Sequence, residues 1–212
     1  MEANGGIALP QPEQPNRRSI RLRDYDYSGL GAYFITICTK DRKCFLGEVI
    51  KNAVVLSRSG MIVTDVWQQK MSQFATVSLD AFTIMPNHVH AVVFITTNGA
   101  NEYVGSEAGA MNRAPTIGQI VRSLKASSAR MIRSRVDRAF AWQRNYYEHV
   151  IRNERSLNLI RRYIEANPVL WELDNDNPAK LRYDSSAVLQ SVYARHGLTP
   201  DDWAFGVRHR FV

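Results

Sequence analysis

His88 and His90, in the run Met85-Pro-Asn-His-Val-His90, are the side chains best placed by type and spacing to do chemistry. The residues around them, from Ala81 to Ile95, are rich in β-branched and aromatic side chains, so the run reads as strand. Pro86-Asn87 supplies a bend just before it. Side chains alternate across a strand, so two imidazoles spaced by two project from one face. Each neutral imidazole offers one nitrogen to a divalent metal ion, and the pair therefore reads as half of a metal site on a rigid support. A His-x-His pair is also an ordinary strand arrangement, and the choice between the two readings depends on what else the chain supplies.

A second constellation stands in Leu159-Ile-Arg-Arg-Tyr163-Ile-Glu-Ala-Asn167-Pro168. Tyr163 and Asn167 are four residues apart and stack on one helix face. Leu157, Ile160 and Ile164 mark the buried stripe of that helix, with Tyr163 about a quarter turn away. This predicts a tyrosine lying against the sheet with its hydroxyl at the domain surface. Asn167 offers an amide oxygen suited to a hard metal ion, although its place before Pro168 also lets it simply finish the helix. Tyr146 and Tyr147 are rival nucleophiles, but their aromatic run reads as wall or core. His149 beside them either flanks a site or is satisfied by strand neighbours.

These groups need elements to hold them. Strand patterns fall at residues 33–38, 79–85, 88–95 and 142–151, with short strands near Phe45 and at 53–56. A helix capped by Ser57 or Ser59 runs to about Phe74. Thr116-x-x-Gln119 is a capping box, opening a helix whose stripe is Ile117, Ile120, Val121, Leu124, Met131 and Ile132. A last helix starts at Asn153 or Glu154 and ends near Asn167. Strands interleaved with helices, but joined partly by tight turns, predict an α+β fold with an antiparallel sheet and helices on one face. Residues 96–115 read as a long loop, and the tail beyond Asp174 is polar, with one short helix capped by Thr199-Pro200. No glycine-rich phosphate loop follows a strand, so neither a nucleoside triphosphate nor a dinucleotide is indicated.

The chain of 212 residues suits one domain with extensions, and 45% apolar and 22% charged residues suit a soluble globular protein. A net charge of +7 and a pI near 9.6 favour a polyanionic partner, nucleic acid being the commonest. Arg17, Arg18, Arg21 and Arg23 form one basic cluster; Arg122, Lys125, Arg130 and Arg133 oppose the apolar stripe of the helix that Thr116 opens. Both are candidates for a DNA-binding groove, against the simpler reading of a solvated helix surface. Cys38 and Cys44 make neither a CxxC pair nor a disulfide framework, which fits a reduced cytoplasm. Neither a signal peptide nor a long apolar run is read, so no membrane partner is expected.

Five phrases then carry a resemblance: Arg17-Arg-Ser-Ile-Arg-Leu22, Gly31-Ala-Tyr-Phe-Ile-Thr-Ile-Cys-Thr39, Met85-Pro-Asn-His-Val-His90, Trp142-Gln-Arg-Asn-Tyr-Tyr-Glu-His-Val-Ile-Arg152 and Tyr163-Ile-Glu-Ala-Asn-Pro168. In this order the chain resembles the REP-associated tyrosine transposases, relatives of the single-tyrosine HUH transposases of small bacterial insertion sequences. The resemblance implies a ferredoxin-like, RRM-like palm over residues 17–174, preceded by a flexible arm at 1–16 and followed by an extension of unknown role at 175–212. It implies that His88, His90 and Asn167 hold magnesium or manganese and that Tyr163 is the nucleophile; many relatives have glutamine where Asn167 stands.

The implied activity is cutting and rejoining of single-stranded DNA beside hairpins resembling repetitive extragenic palindromes, by a monomer or homodimer in the cytoplasm, at the nucleoid. A phenol has an ordinary pKa of about 10, so it needs a metal or a base to react near neutrality. The phosphotyrosine keeps the energy of the broken diester, so rejoining needs no ATP, in keeping with the missing phosphate loop. Two other readings remain: a non-catalytic protein that binds hairpin DNA or RNA on the same palm, and a metal-dependent hydrolase that activates water while Tyr163 is structural.

Overall fold

A computed structural model of the chain describes residues 30–96, 115–174, 176–180 and 194. The expected arm, the Arg17, Arg18, Arg21 and Arg23 cluster, most of the 96–115 loop and the Thr199-Pro200 turn lie outside the described residues.

A nearly continuous run of apolar, buried residues forms β1 (Gly31–Cys38). A turn at Lys40–Arg42 leads to a hairpin of β2 (Gly47–Ile50) and β3 (Ala53–Leu56). Its two-residue tip, Lys51-Asn52, has φ of 49° and 65°, the left-handed pair that matches strand twist. Helix α1 (Arg58–Met71) starts at Ser57, whose hydroxyl accepts from the Gly60 amide. A Cβ at Gly60 would run into the Leu46 carbonyl, so only glycine lets α1 approach the hairpin this closely.

Strands β4 (Val77–Met85) and β5 (His88–Ile95) are antiparallel neighbours across the Pro86-Asn87 turn. Helix α2 (Ile117–Arg135) opens with the expected Thr116–Gln119 capping box. Strand β6 (Tyr147–Ile151) and helix α3 (Glu154–Ala166), capped by Asn153, complete the unit.

The four main strands lie in the order β4-β5-β1-β6, all neighbours antiparallel. With α1 and α2 as crossovers this is the βαββαβ arrangement of a ferredoxin-like palm, the α+β class read from the sequence. One detail of that reading is corrected. Helices α1 and α2 pack on one face, against Tyr33, Ile35, Ile37, Val89, Ala91 and Val93. Helix α3 lies on the other face, where Ile160, Tyr163 and Ile164 meet Ala32, Phe34, Val92 and Ile151. The sheet carries apolar side chains on both faces, so both need a cover.

The strand expected from residue 142 is also shorter. Trp142 makes only an isolated bridge with Thr39, and regular pairing begins at Tyr147. The reason is a lysine. Lys125 Nζ on α2 donates to the carbonyls of Gln143, Arg144 and Asn145 at 2.5, 3.0 and 3.4 Å, turning them away from a strand ladder. Among the described residues no helix is long and apolar enough to cross a membrane.

Candidate active site

His88 and His90 open β5 on the sheet face covered by α3, and both are fully buried, with ring centroids 4.5 Å apart. Across the ladder, Thr36 of β1 faces His90, and its hydroxyl lies 2.8 Å from His90 Nδ1. Phe34 stacks on the His90 ring at 5.4 Å, an apolar floor that limits its tilt.

Asn87 organises the other imidazole. Its amide nitrogen donates to the carbonyls of Arg42 and Asp176 at 2.9 and 2.6 Å, which turns Oδ1 to within 2.8 Å of His88 Nδ1. An amide oxygen only accepts, so this network assigns the proton to Nδ1 and leaves the in-plane lone pair on Nε2. The Asp176 carboxylate, ion-paired with Arg42, lies 3.9 Å from His88 Nδ1 on the same side. Asn87, Thr36 and Asp176 are therefore part of the site, though the sequence reading gave none of them a role. Asn87 stood in view as a turn residue. Asp176 lay beyond the boundary expected at 174, with no local signal to mark it.

Tyr163 and Asn167 come from α3. Tyr163 Oη is 3.4 Å from His90 Nε2, and its ring meets Phe34 edge-on at 6.1 Å. The expected surface hydroxyl is corrected here: the residue is 2% exposed and the phenol points at the imidazoles. Ile160 and Ile164 seat α3 flat on the sheet, which carries Tyr163 inward with them. Asp80 of β4 holds Arg161 of α3 in a two-point contact at 2.7 and 2.8 Å, a partly exposed pair that sets position more than stability.

Asn167 is buried. Its amide nitrogen reaches the Tyr163 carbonyl at 3.4 Å, and its Oδ1 has no hydrogen-bond partner among the described residues. Leaving a buried amide oxygen unpaired costs about 1–3 kcal/mol. An oxygen kept in that state is a natural donor for a cation.

The rival tyrosines fit other tasks. Tyr146 donates to Glu148 Oε2 at 2.8 Å. Tyr147 lies on the same face as Tyr163, edge-on to Phe34. Burial, reinforced by the charge of Tyr163, pushes its phenol far above the ordinary tyrosine range and keeps it protonated. His149 stands in register with Phe34 on this face.

Among the described residues no cluster of three His, Cys, Asp or Glu could hold a metal. Two imidazoles with one orphaned amide oxygen form a different set, and its chemistry suits a divalent ion that accepts nitrogen and oxygen ligands.

The α2 cations are not gathered here. Arg122, Arg130 and Arg133 are exposed on the helix layer across the sheet from Tyr163. Lys125 is held by the three loop carbonyls, and burial lowers its pKa. It braces the 143–145 loop.

Fold and site together define a palm protein with an imidazole pair on its sheet and a tyrosine-bearing helix laid over it. Over part of its length the chain is similar to the IS200-like transposases. Residues 109–167, which include Tyr163 and Asn167 but not the histidine pair, match the family described as "Transposase IS200 like". An uncharacterized protein of Haemophilus influenzae is 39% identical over 165 residues, covering 75% of this chain and 92% of its own. Among solved structures, a REP-associated tyrosine transposase bound to a REP hairpin is similar at 18% identity and a TM-score of 0.47, covering 88% of this chain and 91% of that one. A transposase-like protein of Deinococcus radiodurans is similar at 19% identity and a TM-score of 0.40, with 69% and 96% covered.

Proposed function

We propose that the protein is a metal-dependent endonuclease and strand transferase for single-stranded DNA, cutting beside hairpins through a 5′-phosphotyrosine. The observation that supports this most is the Tyr163 phenol 3.4 Å from Nε2 of His90, on a helix whose next inward turn brings Asn167. The match of residues 109–167 to the IS200-like transposase family supports the same substrate class, and the resemblance of the five sequence phrases to REP-associated transposases favours hairpins of the repetitive extragenic palindrome type.

In this reading Tyr163 Oη attacks the phosphorus in line. A tyrosyl O–P bond forms and the P–O3′ bond breaks; the phenolic proton leaves to water and the 3′-oxygen takes one up. A free 3′-hydroxyl attacks the phosphotyrosine in the reverse sense to rejoin a strand. His88, His90 and Asn167 would hold magnesium or manganese, which supplies Lewis-acid stabilisation of the phosphoryl oxygens when bound. Thr36 and Asn87 hold the two imidazoles in orientation from behind. Phe34 keeps the floor dry, which strengthens electrostatic interactions with the reacting groups. Tyr163 is buried, so access for a phosphodiester requires local opening on the α3 side.

The test is direct. Purified protein, labelled single-stranded hairpin DNA and manganese should give an adduct that survives SDS. Mass spectrometry should map the nucleotide to Tyr163, and a chelator should abolish the product. Binding without cleavage would favour the non-catalytic hairpin binder instead, and cleavage without an adduct would favour the water-activating hydrolase.

The Asn87 contact that fixes the His88 tautomer carries a second expectation. Asn87→Leu should weaken manganese binding by about 10–100-fold, the range for loss of an outer partner of a ligating histidine. Manganese-dependent thermal shifts read this without any turnover; an unchanged affinity would remove Asn87 from the site.

A further inference from the structure

Past Asn167 the chain turns back toward the imidazole pair. Leu170 and Trp171 are buried, and the Leu170 amide donates to the Ala166 carbonyl at 3.1 Å, continuing the last turn of α3. A short 3-10 turn at Trp171–Leu173 follows. The Trp171 ring lies 6.1 Å from the His88 ring, tilted by 46°. Asn177 locks the return: its side-chain amide donates to the Trp171 carbonyl and its backbone amide to the Asp174 carbonyl, both at 3.0 Å. The buried Asp174 carboxylate accepts the Asp176 amide at 2.7 Å.

This clasp delivers Asp176 to the Nδ1 side of His88. The residue is 5% exposed, and its two polar ends contribute differently. Its backbone carbonyl accepts from Asn87 Nδ2 at 2.6 Å, fixing the amide whose Oδ1 faces His88 Nδ1. One carboxylate oxygen pairs with Arg42, and the other lies 3.9 Å from His88 Nδ1. The Arg42 side chain is 47% exposed, so water screens its charge far more than that of the buried carboxylate.

We propose that Asp176 is a positioning residue for His88: its carboxylate sets negative charge behind the imidazole, holding the proton at Nδ1 and offsetting the charge of a divalent ion in the site. The inference rests on the reading that His88, His90 and Asn167 take such an ion, and it adds the charge which that ligand set lacks. Two neutral imidazoles and an amide bring no negative charge to a cation, and a buried cation without an offset is costly. A carboxylate behind a ligating histidine raises the donor strength of the ring and fixes its tautomer. At 3.9 Å Asp176 acts as a charge; the direct hydrogen bond belongs to Asn87. The clasp starts at Asn167 and ends against His88, so a segment outside the palm ties two of the three ligands together.

The experiment titrates full-length protein with manganese in the absence of DNA, counting the free ion by electron paramagnetic resonance. It compares two substitutions expected to act with opposite sign. Asp176→Asn keeps the shape and the backbone carbonyl but removes the charge, and it should weaken manganese binding about tenfold or more. Arg42→Gln removes the counter-charge and leaves the carboxylate. It should lower the melting temperature of metal-free protein and tighten manganese binding about threefold or more. A mere brace between the two segments predicts weakening by both substitutions. That result, or an unchanged affinity in Asp176→Asn, would overturn the assignment.

A metal-free readout separates this failure from failure of the metal reading. Imidazole nitrogen resonances should show His88 protonated at Nδ1 in wild type, and the Nδ1 resonance should move in Asp176→Asn as the neighbouring charge is lost. If wild type binds no manganese while that resonance moves, the ion is removed and the hold of Asp176 on His88 stands. If manganese binds and neither the resonance nor the affinity responds to Asp176→Asn, only the role of Asp176 is removed.

Discussion

Tyr163→Phe is expected to bind hairpin DNA within about twofold of wild type and to cleave it at least about a thousandfold more slowly, with no SDS-resistant adduct. The substitution removes one oxygen and keeps the ring that meets Phe34 and His90. The contact of its hydroxyl with His90 is long, at 3.4 Å, so the stability change should stay near or below about 1 kcal/mol. That separation matters, because loss of activity then reports on the nucleophile and not on unfolding. Tyr147→Phe is the matching control. Its phenol is held protonated by burial and by the neighbouring Tyr163, so the variant should still form the adduct. An adduct that persists in Tyr163→Phe and vanishes in Tyr147→Phe would exchange their roles.

Asn167→Leu should move stability and function in opposite directions. In metal-free protein the native Asn167 keeps a buried amide oxygen without a partner, at a cost of about 1–3 kcal/mol. Leucine removes that oxygen and fills a similar volume, so the variant should melt higher, by about 2–4 °C per kcal/mol for a chain of this size. Manganese should then raise the melting temperature of wild type but not of the variant, and cleavage should fall at least about a hundredfold. Asn167→Gln tests the oxygen itself, since it keeps an amide one methylene farther out and should recover part of the manganese response. A leucine variant that retains the full manganese shift would take residue 167 out of the ligand set. Stability surrendered at a functional position is a common pattern, because groups arranged to hold a ligand are poorly satisfied without it.

Much of this architecture follows from local rules. The two-residue period of a strand placed His88 and His90 on one face, and the helical period placed Asn167 one turn beyond Tyr163. Capping chemistry marked the start of α2 at Thr116 and narrowed that of α1 to Ser57 or Ser59, because an unpaired helix amide needs a nearby acceptor wherever the helix later packs. The antiparallel β4–β5 pair was legible from the Pro86-Asn87 turn between two apolar runs.

What local rules could not decide was which partner each face would meet. A stripe such as Leu157, Ile160 and Ile164 says that α3 buries one side; it does not say which sheet face receives it. Packing against Phe34 and Val92 settled that, and so turned a tyrosine expected at the surface into one buried beside His90. Lys125 reads as a free cation on a basic helix face, yet three carbonyls from a segment 18–20 residues away claim its ammonium. Asp176 reaches His88 and Asn87 across about 90 positions, a distance over which composition and periodicity carry no signal. The chemistry of the side chains was thus written in the linear order, because period and capping act within a few residues. Their mutual approach was decided by long-range burial, which depends on the whole chain at once.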